Sequence, residues 1–209
     1  MSGSDLPSPY HQRLPYGERV PADPLLGNPF FPFDGEIQVR PLEEPVLPEP
    51  PRAGEPGGNP CPNCPTPGST AARDEFVIWQ DDKWSVLAGM EPVGVPMVAL
   101  LISREHYRLD NLPPDLAADL GPMIQLISAA IRRIEGVGRT HFSRYGDGSE
   151  HFHLWFFARP LGQMQLRGPS LQFWESLLPH VPTPEFHTNT QTLATALTEQ
   201  SGAPHGTAL

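Results

Sequence analysis

Residues 150–157, with the sequence EHFHLWFF, place two histidines at alternate positions inside a run of apolar and aromatic residues. Such a run is typical of a buried β-strand. Because side chains alternate between the two faces of a strand, His151, His153 and Trp155 should share one face and the intervening apolar residues the other. Two residues along a strand span about 7 Å, too far for both imidazoles to bind one metal ion comfortably. The two histidines should therefore have different roles on one surface.

Two cysteines, Cys61 and Cys64, occur as C-P-N-C in a segment with four prolines between residues 60 and 67. A two-residue gap also suits a redox pair, but that motif normally opens a helix, which these prolines prevent. The spacing instead predicts a zinc site that needs two further ligands. Among the eight histidines, those in or beside predicted elements are His106, His141, His151 and His153. A hydrogen-bonded core histidine is the competing interpretation for each of them.

The charge balance limits the classes of partner. The formal net charge is −10 with 14 Lys and Arg residues, which argues against nucleic acid or an anionic membrane as the main partner. A phosphorylated small molecule remains compatible, since it needs only a few local donors. No apolar run approaches the ~20 residues of a membrane span. The first residues, MSGSDLPSPYHQ, lack the features of a signal peptide, so we expect a cytoplasmic location.

The composition predicts three regions. Residues 1–60 form a proline-rich extended arm and linker, since seventeen of the 28 prolines precede residue 68. Phe30, Phe31 and Phe33 give this arm more apolar bulk than a disordered leader carries, so we expect them to pack on the domain or on a partner subunit. Residues 61–182 form the folded domain. Residues 183–209 form a flexible tail, with at most a marginal helix over residues 190–199.

Periodicity predicts an α+β domain, with an antiparallel sheet and one long helix packed on it. Strand patterns cover residues 75–80, 84–87, 93–102, 140–145 and 149–159, and helical patterns cover residues 116–134 and 170–178. Gly121-Pro122 lies inside the long helix, where proline removes a backbone donor and can kink or split it.

The sequence HFHLWFFAR resembles the histidine-triad motif, in which histidines alternate with apolar residues ahead of a basic residue. The preceding order of WSVL, MVALLISREH and a long helix is also similar to that superfamily. The zinc-containing and galactose-1-phosphate uridylyltransferase-like branch pairs a C-x-x-C with a downstream histidine and the first motif histidine. The resemblance covers roughly residues 61–160 and implies a structural Zn²⁺ held by Cys61, Cys64, His106 and His151.

The resemblance also implies an activity. In this superfamily the middle histidine, here His153, attacks the phosphorus of a nucleotide, as a nucleotidyltransferase or as a nucleotide phosphoester or anhydride hydrolase. A neutral imidazole is a competent nucleophile near pH 7. The implied ligand is a phosphorylated or nucleotide-like small molecule, and the implied assembly is a homodimer.

The third motif position departs from the family, because Trp155 stands where hydrolases have histidine and uridylyltransferases have glutamine. Tryptophan cannot act as an acid or base. A pocket adapted to another reaction, or to binding alone, is therefore the alternative, and an interaction protein with purely structural zinc and histidines is a third.

The candidate substrate-binding residues are Arg144 and Ser149 in the loop before the motif, Trp155 within it and Arg159 after it. Ser149 is either a phosphate contact or a plain turn residue, and Arg144 and Arg159 are either anion partners or solvated side chains. Asp147 and Glu150 in the same loop would repel a phosphate.

Overall fold

The computed structural model describes residues 11–64, 74–89 and 91–201, and the chain divides into two compact units, Met1–Pro51 and Arg52–Leu209. In the described residues of the first unit, 11–51, the helical elements are a 3-10 turn at His11–Arg13 and one helical turn, α1 (Asp23–Leu26). Within it, the rings of Phe31 and Phe33 meet edge to face at 5.2 Å. The boundary predicted after residue 60 falls inside the second unit, and the docking of the phenylalanines stays a prediction.

A five-stranded antiparallel sheet forms the centre of the second unit, in the order β1-β2-β3-β5-β4. This confirms the predicted α+β class with an antiparallel sheet. The strands are β1 (Val77–Gln80), β2 (Trp84–Ala88), β3 (Val98–Ser103), β4 (Val137–Ser143) and β5 (His153–Pro160). The β1–β2 turn is fixed by the Asp81 carboxylate, which accepts hydrogen bonds from the amides of Lys83 and Trp84.

Helices cover both faces of the sheet: α2 (Pro114–Ile131), α3 (Ser170–Leu177) and α4 (Thr183–Ser201). Helices α2 and α4 share the main core with Phe152 and Phe156. Helix α3 packs through Leu171 against Phe157, on the other face. None of the helices in the described ranges is long and apolar enough to cross a bilayer.

The long helix α2 runs through Pro122 without a break. Pro122 lies on the exposed side and the neighbouring Met123 is buried. The helix therefore keeps its apolar contacts despite the missing backbone donor, and the sequence signal for a split is overridden by packing.

Residues 183–201 of the predicted flexible tail form α4, which includes the marginal helix predicted over residues 190–199, and residues 202–209 lie outside the described part of the chain. Leu193 and Leu197 are fully buried in the main core, and the indole Nε1 of Trp79 donates to the Ser201 hydroxyl at 3.1 Å. Many threonines lower the helix propensity of this segment, so its sequence pattern is weak. The leucines at i and i+4 supply a narrow apolar stripe that the sheet and α2 complete.

Strand β5 begins at His153, later than the predicted residue 149. The residues before it are paired elsewhere: the amide of Glu150 donates to the Ala53 carbonyl at 3.0 Å, and the amide of Phe152 donates to the Tyr107 carbonyl at 2.6 Å. The predicted alternation holds, since Phe152 enters the main core and Trp155 packs on the α3 face.

Replacing Leu193 with alanine tests whether α4 belongs to the core. We expect the free energy of unfolding to fall by about 2–5 kcal/mol, because the substitution leaves a cavity in a fully buried site. The matched control, Leu177→Ala, truncates a half-exposed leucine of α3 and should stay within about 0.5 kcal/mol. Denaturant unfolding measures both; equal, small losses would mean that α4 contributes nothing to the core.

Candidate zinc centre and active site

Four side chains from three separate segments converge at one end of the sheet. One ligand atom from each of Cys61, Cys64, His106 and His151 lies within 4.8 Å of the others. The Sγ of Cys64 lies 3.3 Å from Nδ1 of His106 and 3.5 Å from Nδ1 of His151, and the Sγ of Cys61 lies 3.5 Å from the latter atom. The two cysteines are not joined by a disulfide. The four residues predicted as ligands are thus brought together.

The donor set fits zinc. Zn–S and Zn–N bonds of about 2.3 and 2.0–2.1 Å in a tetrahedral site put sulfur and nitrogen about 3.5 Å apart, as the ligand atoms are here. Both imidazoles present Nδ1 to the cluster and use Nε2 elsewhere: His151 donates to the Ser103 carbonyl at 2.8 Å, and His106 to Glu150 at 3.2 Å. Such outer partners fix the tautomer and the ring direction of ligating histidines. The cluster could therefore hold a zinc ion, and with four protein ligands its role would be structural.

Glu150 is a buried carboxylate that the sequence did not identify as a site residue. Its Oε2 accepts from His106, and its Oε1 accepts from Arg108 at 3.2 Å. This hydrogen bond, together with one to Asp110, raises the pKa of the Arg108 guanidinium. The carboxylate is thus turned towards a ring and a cation, so the expected repulsion of a phosphate by Glu150 is weakened by its own partners. Its position directly before His151 was the one available signal.

His153 is held by the backbone of the residue that precedes it by two. Its Nδ1 lies 2.8 Å from the carbonyl oxygen of His151 and, because a carbonyl only accepts, must carry the proton. In the neutral ring, Nε2 therefore keeps its lone pair. The imidazole is buried, and its ring meets that of Trp155 edge to face at 6.5 Å. This tautomer is the one that a nucleophilic Nε2 requires.

The ring of Trp155, 6.5 Å from that of His153, forms part of the wall of an apolar cavity of about 590 Å³. The floor is the α3 face of the sheet, and α3 supplies one side. Helix α3 is tethered there by Gln172, whose side-chain amide donates to the hydroxyls of Ser143 and Tyr145. The lining residues are Pro62, Asn63, Phe76, Leu87, Ala88, Gly89, Glu91, Val93, Val98, Leu100, Tyr145, Trp155, Phe157, Gln172, Glu175 and Ser176.

The charged side chains that line this cavity, among the described residues, are all acidic. Its described lining includes two carboxylates, Glu91 and Glu175, and no lysine or arginine. Trp155 stacks at 6.4 Å on Phe157, which extends the aromatic surface away from His153. The cavity therefore suits an apolar or aromatic group better than a phosphate.

The predicted anion-binding residues are not all in one place. Arg159 lies at the far end of β5, where its guanidinium donates to the Gln163 carbonyl at 3.0 Å. Arg144 and Ser149 lie in the loop between β4 and β5. The Arg144 Nε and the Ser149 Oγ are buried and have no hydrogen-bond partner among the described residues. Burial and the charge of Arg52 lower the pKa of Arg144. The polar atoms of Arg144 and Ser149 in this loop could therefore bind a ligand. Arg159 instead stabilises the backbone at the far end of β5.

Solved structures similar to this chain include histidine triad proteins and uridylyltransferases. A histidine triad protein from Bradyrhizobium japonicum is 18% identical, over 62% of this chain and 97% of that one, with a TM-score of 0.49. A zinc-bound histidine triad family protein from Mycobacterium smegmatis is 20% identical, over 61% and 87%, with a TM-score of 0.45. A uridylyltransferase structure is 18% identical, over 60% of this chain and 42% of that one, with a TM-score of 0.43.

These are the two groups that the sequence motifs resemble. No family model matches the chain, and no curated protein matches it.

Elemental analysis of the purified protein tests the metal centre. We expect about one zinc per chain in the wild type, and its loss in a Cys61→Ser, Cys64→Ser double variant, because the remaining imidazoles cannot complete a tetrahedral site. His153→Ala is the matched control and should keep its zinc, since its ring nitrogen bonds the backbone. A metal-free wild type would remove the zinc centre; loss of zinc in His153→Ala would remove the separation of roles between the two histidines.

Proposed function

We propose that the protein is a nucleotidyltransferase or a nucleotide phosphoester or anhydride hydrolase in which His153 is the nucleophile. The observation that carries this proposal is the 2.8 Å hydrogen bond from Nδ1 of His153 to the His151 carbonyl. It leaves the Nε2 lone pair available, on a strand whose start is fixed beside the Cys₂His₂ cluster. Zinc would supply rigidity there, because a closed four-ligand site offers no position to a substrate.

The proposed reaction begins with attack of the Nε2 lone pair on phosphorus. The new N–P bond forms as the bond to the leaving oxygen breaks, and the electron pair of that bond goes to the leaving group. Water or a second phosphate then attacks phosphorus and releases His153. The Ser149 hydroxyl and the Arg144 guanidinium, with their buried polar atoms, are the proposed phosphate partners in the loop before β5.

The cavity beside Trp155 is the proposed site for the apolar part of the substrate. Its aromatic wall is suited to stacking a ring, and the carboxylates Glu91 and Glu175 disfavour a second phosphate there. The ligand class supported is therefore a phosphoryl group bonded to an aromatic or nucleoside-like group, with the phosphoryl group at His153 and the ring in the cavity.

Trp155 sets an expectation about the leaving group. Because an indole cannot protonate a departing alkoxide, only leaving groups that are stable as anions should depart quickly. Nucleoside anhydrides and p-nitrophenyl esters should turn over, whereas methyl esters of the same nucleotide should not.

A second candidate function is binding without chemistry, in a pocket adapted to an aromatic ligand. The observation that favours it is the same tryptophan, which lines the cavity and leaves no acid or base at the third motif position. A homodimer, which the resemblance implies, and a cytoplasmic location are also part of what we propose.

Covalent trapping with labelled nucleotide anhydrides and p-nitrophenyl nucleotides separates the two candidates. We expect an acid-labile adduct on His153, and a loss of turnover of about 10⁴-fold or more in His153→Ala. The matched control is His180→Ala, which removes an exposed histidine outside the site and should leave turnover unchanged. Tight binding of these ligands with neither adduct nor turnover would favour the binding function.

Trp155→His tests the role of the third position. A histidine there can protonate the leaving group, so we expect the rate with methyl esters to rise by about 10²-fold or more, with little change for p-nitrophenyl esters. The ratio of kcat/KM between the two ester types is the measurement. An unchanged ratio, with turnover intact, would show that protonation at this position does not limit the reaction.

A further inference from the structure

A turn of chain upstream of the cysteines, residues 52–59, lies against both the zinc cluster and the loop that precedes β5; we call it the strap. The strap has its own internal bonds. The Arg52 side chain donates from Nε to the Glu55 carboxylate at 2.8 Å, the Arg52 amide donates to the same carboxylate at 2.7 Å, and the amide of Gly54 donates to the Asn59 carbonyl at 2.8 Å. It is therefore a closed turn with a defined shape.

Both backbone groups of Ala53, its amide and its carbonyl, form hydrogen bonds to the loop that precedes β5. The Ala53 amide donates to the Gly148 carbonyl at 3.3 Å, and the Ala53 carbonyl accepts from the Glu150 amide at 3.0 Å, so that Ala53 and Ser149 form a parallel bridge. In addition, the Arg52 guanidinium donates to the Gly146 carbonyl at 2.8 Å. These three bonds hold residues 146–150, the loop that carries Ser149 and leads into His151.

The strap also touches the zinc cluster at a point where only glycine fits. Gly54 has φ +94°, and a Cβ built on it would lie 2.6 Å from Cε1 of His106, 3.2 Å from Nε2 of the same ring and 3.3 Å from the Cβ of Cys61. A side chain there would displace the ring or block its bond to Glu150. The backbone of Gly54 therefore forms the surface against which His106 rests.

We propose that the strap is a positioning element that couples metal binding to the order of the loop before β5. Gly54 sets the place of His106 as a zinc ligand, and Arg52 and Ala53 hold the loop in register with the cluster. Loss of the strap contacts weakens zinc binding, and loss of zinc loosens the loop. The proposal rests on the zinc centre and not on the chemistry at His153.

Zinc affinity, measured by competition with a chromophoric chelator, tests the role of Gly54. We expect Gly54→Ala to bind zinc about 10–100-fold more weakly, as is typical when an outer contact of a ligand is disturbed. Gly136→Ala is the matched control, because Gly136 has φ +75° and open space around it, so it has the same backbone strain without the clash. Equal zinc affinities in the two variants would overturn the proposal.

Amide hydrogen exchange at Glu150 tests the coupling, and it does so even if Gly54→Ala fails to fold. In the zinc-loaded full chain, Arg52→Gln should speed exchange of this amide and weaken zinc binding. Arg133→Gln is the control, because it breaks only the exposed ion pair with Glu199. Removing zinc from the wild type should speed the same amide.

Protection of the Glu150 amide that is unchanged in both Arg52→Gln and the zinc-free wild type would contradict the coupling. Neither readout uses a nucleotide. An inactive His153 would therefore leave this test intact, and a failure here would leave the proposed function standing.

Discussion

The convergence of two sulfurs and two imidazole nitrogens is the constraint on which the rest of the site depends. The donors come from the C-P-N-C turn, from the segment after β3 and from the residue two positions before β5, and their atoms lie within 4.8 Å of one another. Two thiolates at this distance repel each other unless a cation lies between them. A bound ion would thus join three stretches that are far apart in sequence. The hydrogen bonds from Nε2 of His151 to Ser103 and from Nε2 of His106 to Glu150 orient both rings so that Nδ1 faces the cluster.

In the candidate site, the polar and the apolar side chains lie in two different parts of the fold. The loop between β4 and β5 offers buried polar atoms of Arg144 and Ser149, while the sheet face beneath α3 offers an aromatic cavity with acidic side chains. The His153 ring lies beside the Trp155 ring, which lines the cavity. In this arrangement the ring at the third motif position, that of Trp155, belongs to the cavity wall.

The parts of the fold that local periodicity determines were predictable from the sequence. The alternation around His153, the apolar spacing of α2 and the pairing of a C-x-x-C with two histidines are local or motif signals, and each is found in the structure. The full length and the burial of α4 were not predictable beyond a marginal helix over residues 190–199, because its threonines give a weak pattern and its two buried leucines matter only once the sheet is present. The roles of Gly54 and Glu150 were not predictable either, since both depend on His106, which is distant in the chain.

The hydrogen bond between His153 and the His151 carbonyl has a consequence for how such a protein can change over generations. His151 gives its ring to the Cys₂His₂ cluster and its backbone oxygen to His153, the proposed nucleophile, at the start of β5. A lineage that lost its need for catalysis could replace His153 and keep the metal. A lineage that abandoned the metal would also disturb the carbonyl that fixes the His153 proton, so the metal centre is expected to outlast the chemistry and not the reverse.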